Sequence, residues 1–92
     1  MTETEYRARV TEKGYGEPMD KFLAANVFND THTHDVALFL YVFDGEITVE
    51  VEAPNGTEKT TCGPGQTVEV PAGLLHTERS GTDGVTFLVA RK

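Results

Sequence analysis

Three histidines are the residues of this chain best suited to chemistry, and all of them fall in two short segments. His32 and His34 are one residue apart in Asn29-Asp30-Thr31-His32-Thr33-His34-Asp35, and His76 ends Pro71-Ala72-Gly73-Leu74-Leu75-His76. On an extended chain, side chains alternate, so the two imidazoles of a His-x-His pair share a face and can converge on one ion. A His-x-His pair alone is ordinarily two polar residues on a strand. A distant third histidine, also among strand and turn signals, makes a metal centre worth testing. Three neutral imidazoles suit a divalent transition metal such as Fe, Zn, Mn, Ni, Co or Cu and leave positions open for water or substrate.

Other reactive side chains carry weaker signals. Glu78 lies two residues beyond His76, on the same face of a regular strand. The ordinary expectation is a solvated carboxylate; the functional one is a general base or an acceptor that orients an imidazole. Asp35 has the opposite parity to the pair and reads as a surface charge. Cys62, the single cysteine, reads as buried and inert. Tyr41 reads as packing, and no pattern selects Arg7 or Arg79.

Strands must position these groups. Short apolar alternations are separated by Gly, Pro and Asn punctuation, and no segment shows a sustained helical period. Tyr6, Ala8 and Val10 alternate with polar residues, which predicts a strand over Glu5 to Glu12 followed by a loop to Pro18. Lys21 to Phe28 reads as extended. Val36, Leu38, Leu40 and Val42 share the histidines' parity, and Phe39, Tyr41 and Phe43 face the other way. The apolar second face predicts a subunit interface, hence a homodimer, unless the chain's own N-terminal segment covers it. Asp44-Gly45 and Pro54-Asn55-Gly56 read as hairpin turns. Strands are expected at 47–51, 57–62, 67–70 and 85–90. The expected class is an all-β sandwich or barrel in one domain, 1–92, with residues 1–20 as an N-terminal strand and loop at the dimer interface.

Ninety-two residues support one modest core. With 8 basic and 15 acidic side chains, the net charge of -7 argues against a nucleic-acid footprint or attraction to anionic lipid. No apolar run approaches the roughly 20 residues that span a bilayer, and the first residues are acidic where a secretory signal is basic, so the expectation is a cytoplasmic protein.

These residues resemble the cupin family. His32-Thr33-His34 with Gly45 is similar to its first motif, and Gly65, Pro71, Gly73 and His76 match the spacing of the second; the likeness runs from about residue 25 to 90. It implies a cupin jelly-roll β-barrel with metal ligands His32, His34 and His76. Three positions depart from the pattern. Leu38 stands where the family has a glutamate ligand, Gln66 where an acidic residue often follows the turn, and Ser80 at the terminal asparagine of the second motif. Three-histidine sites are known in the family among thiol and diketone-cleaving dioxygenases.

Without the glutamate, the ion would keep its full +2 charge and favour anionic or chelating ligands. Val36, Leu38, Leu40 and Val49 would wall the site with apolar surface. The expected function is therefore a metal-dependent enzyme on a small anionic or chelating substrate, dioxygenase-like or an isomerase or lyase using Lewis-acid catalysis, with Glu78 as candidate base. The alternatives are a non-catalytic cupin that binds or senses a small ligand, and an engineered host for metal chemistry.

Overall fold

The computed structural model describes residues 1–92 apart from His34, and for Thr31, His32 and Ala53 the backbone alone. It opens on a helix, α1 (Glu3–Glu12), where the two-residue alternation predicted a strand. The reason is local. Thr2 and Glu5 form a capping box: Thr2 Oγ1 accepts from the Glu5 amide at 3.2 Å and Glu5 Oε1 accepts from the Thr2 amide at 2.9 Å. Glu3 and Arg7 add an i,i+4 pair at 2.8 Å. Tyr6 and Val10, one turn apart, are the residues buried, while Ala8 is exposed. The alternation was a helical i,i+4 pair with an alanine between.

Six strands follow: β1 (Met19–Leu23), β2 (Phe28–His32), β3 (Leu38–Ala53), β4 (Gly56–Cys62), β5 (Thr67–Val70) and β6 (His76–Arg91). All pairings are antiparallel. The long strands β3 and β6 pair along most of their length and divide the sheet in two. In one half, the start of β3 and the end of β6 lie between β5 and β1; in the other, the end of β3 and the start of β6 lie between β4 and β2.

Asp44-Gly45 is the hinge between these halves and not the hairpin turn its composition predicted. The chain runs straight through, with register shifts between Val42 and Asp44 and between Gly45 and Ile47. Gly45 has φ 81° and Gly84, near it on β6, has φ 76°. A Cβ on Gly45 would overlap the carbonyl of Gly84, so two backbones cross where no side chain fits. Each bulge also switches the parity of burial. Leu38, Leu40 and Val42 give way to Ile47 and Val49 on β3, and Ser80 gives way to Val85, Phe87 and Val89 on β6. Side chains of both halves thus meet in one core, completed by Cys62 and Val70. The hairpin at Pro54-Asn55 and the turns at 63–66 and 71–73 form as expected.

The opposite face of the first half is apolar too, and α1 covers it. Tyr6 packs tilted against Phe39 and stacked on Tyr41, with ring centroids 4.8 and 5.3 Å away, and its hydroxyl donates to the Phe39 carbonyl at 2.7 Å. Val10, Tyr15, Leu88 and Ala90 complete this second cluster. Burying Tyr6 and Val10 contributes on the order of 2 kcal/mol each. Phe39 and Tyr41, expected at a subunit interface, are therefore sealed within the chain, and Phe43 alone of the three is exposed. The face that motivated a homodimer is occupied by the chain's own helix.

Candidate metal centre and ligand chamber

His76 is the first residue of β6, delivered by the Pro71-Ala72-Gly73 turn, in which Gly73 adopts φ 80°. The ring is 1% exposed. Its Nδ1 lies 3.3 Å from the carbonyl of Leu74, a long contact that favours the tautomer with the proton on Nδ1 and the lone pair on Nε2, one of the two forms in which an imidazole binds a metal. On one side His76 is in register with Val51, on the other with His32.

Two sequence-distant positions of the expected donor set are thus neighbours across β2 and β6. The side chain of His32 and the whole of His34 lie outside the described residues. Among the described residues no group of three His, Cys, Asp or Glu side chains is arranged to hold a metal. What is described fits a metal: a buried imidazole, orientable by a backbone carbonyl, on the strand beside His32.

Glu78 pairs in register with Val49 and Asn29, so it shares the inward face of β6 with His76. It is half-buried and lines a cavity of about 210 Å³ between the two halves of the sheet. The apolar floor consists of Leu38, Leu40, Phe87 and Val89. Leu38 and Leu40 line this cavity, and Val36 and Val49 pack in the core beside it.

The departures from the cupin motifs have structural explanations. Leu38, 6% exposed, spends its side chain on core and chamber wall. Gln66 closes the turn, its Oε1 accepting from the Gly63 amide at 2.7 Å. Ser80 is a buried tether: its hydroxyl donates to the Ala24 carbonyl and accepts from the Val27 amide at 2.8 Å, holding the β1–β2 connection to β6.

The remaining candidates are inert toward this chamber. Cys62 is buried, its Sγ facing the Thr67 carbonyl at 3.4 Å, and burial pushes its thiol pKa up. Asp35 is exposed, Arg7 pairs with Glu3, and Arg79 lies over the Phe28 ring at 4.7 Å. The sequence reading missed Asn29, Lys21 and Arg91, which line the same cavity. Arg91 had a readable signal, since it continues the parity of Val85, Phe87 and Val89. Lys21 lies between Met19 and Leu23 in the same way.

No helix among the described residues is long and apolar enough to cross a membrane. No curated protein sequence matches the chain. Its fold is similar to that of a variant of the Bacillus subtilis oxalate decarboxylase, with a TM-score of 0.74 and 22% identity over 82% of this chain. A further structure of the Bacillus enzyme concerns its Mn(II) centres. The Lactobacillus farciminis oxalate decarboxylase, in complex with formate, is equally similar in fold, with a TM-score of 0.74 and 20% identity over 82% of this chain. The chain spans only 20% of the first of these enzymes and 22% of the second. The profile of the Cupin_2 family, a cupin domain, matches residues 24–90, and with the antiparallel double sheet around one core it establishes that this chain belongs to the cupin family.

Proposed function

We propose that this cupin binds a divalent transition metal through His32, His34 and His76 and acts on a small anionic or chelating molecule. The observation that carries the reading is the register of His32 opposite a buried His76, two residues from Glu78 on the chamber wall. When bound, the metal supplies Lewis acidity or, for a redox-active ion, an oxygen-activating centre. Leu38 adds no carboxylate to the donor set, so the site retains an affinity for anions. The Leu38, Leu40, Phe87 and Val89 floor excludes water and strengthens electrostatic interactions at the chamber wall. Glu78 takes or holds a proton at its carboxylate oxygens.

The Mn(II) centres of the Bacillus enzyme support a metal by likeness of fold. A second reading, ligand binding without turnover, draws on the same Leu38, whose burial in the core removes the usual fourth ligand. Iron-loaded protein assayed for oxygen uptake with thiols and diketones, alongside isomerase and lyase assays on small hydroxy and keto acids, separates the two. Turnover abolished by His76→Ala supports the enzyme; tight ligand binding with no turnover under any metal supports the binding module.

A further inference from the structure

The mouth of the chamber carries two cations that the proposed metal site does not use. Lys21 is in register with Phe87, and Arg91 with Leu38, so both side chains emerge on the inner face and line the cavity. Neither forms an ion pair with a carboxylate among the described residues, whereas Arg7, Arg9 and Lys13 each do. Arg91 instead reaches the thioether of Met19, 3.2 Å from Nη1, a weak acceptor that leaves most of the guanidinium fork to water or a ligand. In a chain of net charge -7, two cations lining one cavity with no ion pair among the described residues point to an anion.

The floor and far wall narrow its chemistry. Leu38, Leu40, Phe87 and Val89 offer nothing to a compact inorganic ion and suit an apolar body. Glu78 on the same wall disfavours a second negative charge. A cavity of about 210 Å³ is below the usual range of drug-sized pockets, roughly 300–1,000 Å³.

We propose that the chamber is a binding site for a small monocarboxylic acid with an apolar body, its carboxylate held at the mouth by Lys21 and Arg91. This rests on reading the cavity as the ligand chamber of the proposed function, but it needs no metal. Arg91 suits a two-pronged hydrogen bond to the carboxylate and Lys21 adds a point charge.

Titration of the full chain with benzoate, benzamide, phthalate and acetate, followed by calorimetry and amide chemical shifts, tests it. Benzoate is expected to bind at least about tenfold more tightly than benzamide, the effect of about one charge-assisted hydrogen bond. It should also bind more tightly than acetate, because its ring meets the apolar floor, and more tightly than phthalate, because of the Glu78 charge, and it should weaken with added salt. The double variant Lys21→Met with Arg91→Met is expected to bind benzoate no better than benzamide. Benzamide or phthalate equalling benzoate, or a folded double variant that retains the preference, overturns the proposal. The comparison on the unaltered chain decides it even if the variant fails to fold.

Repeating the titration on protein stripped of metal and dialysed separates the two readings. Benzoate affinity that survives stripping supports the clamp, whatever the metal analysis shows. Affinity lost on stripping but kept by the double variant places the anion on the metal and overturns the clamp.

Discussion

Ser80 shows how one substituted motif position can serve the fold. Its buried hydroxyl satisfies the Ala24 carbonyl and the Val27 amide together, so removing it takes a partner from two backbone groups at once. Ser80→Ala is expected to lower unfolding stability by about 1–3 kcal/mol, read from the denaturant midpoint; an unchanged midpoint would mean that the β1–β2 connection is held by other contacts. Gly45 is a stricter position. Its φ of 81° is unfavourable for a side chain, and a Cβ there meets the backbone of Gly84. Gly45→Ala should cost on the order of 2–4 kcal/mol, whereas Gly14→Ala, with a similar φ of 78° but where a Cβ meets nothing, should cost less. Equal losses in thermal melts would refute the idea of a crossing point between β3 and β6.

At the scale of elements, α1 is the lid on the second apolar cluster. Chains lacking residues 1–13 should expose Phe39 and Tyr41, lose stability and self-associate, which sedimentation would detect; a stable monomer would show that the helix is dispensable. The same packing sets an alkaline limit. Burial pushes the phenol pKa of Tyr6 up to about 12, and burial with a hydrogen bond to Glu69 does the same for Tyr15, against 10.0 ordinarily. Because the folded pKa is raised, this contribution to stability is complete below pH 10 and is lost as pH rises toward about 12. Alkaline titration should therefore loosen the helix in that window, visible in circular dichroism, and ionisation of Tyr6 or Tyr15 at pH 10 with the fold intact would contradict the packing. The helix itself was legible in Thr2-x-x-Glu5, but Tyr6, Ala8 and Val10 fit a two-residue period as well as a four-residue spacing. Period alone could not say which would bury the larger side chains. Asp44-Gly45 misled for a related reason: positive φ serves a bulge as readily as a hairpin, and only the partner strand decides. The switch from Leu38, Leu40 and Val42 to Ile47 and Val49 was visible in the sequence, and a parity switch within one strand is what a bulge produces.

For the whole molecule, the double sheet and the second motif were readable because Gly65, Pro71, Gly73 and His76 combine a turn with a histidine at the start of a strand. The chamber was less readable. Lys21, Asn29 and Arg91 come from three strands, and their meeting depends on β6 folding over at its glycines, which no local pattern encodes. The proposed metal is tested most directly by the metal content of the full chain purified without chelator, beside His76→Ala, with anomalous diffraction locating the ion. About one divalent transition metal per chain, lost in the variant and sited at the His32–His76 pairing of β2 and β6, is the expected result. A folded chain that takes up no metal from Fe, Zn, Mn, Ni, Co or Cu solutions, or an ion bound away from His76, would contradict it.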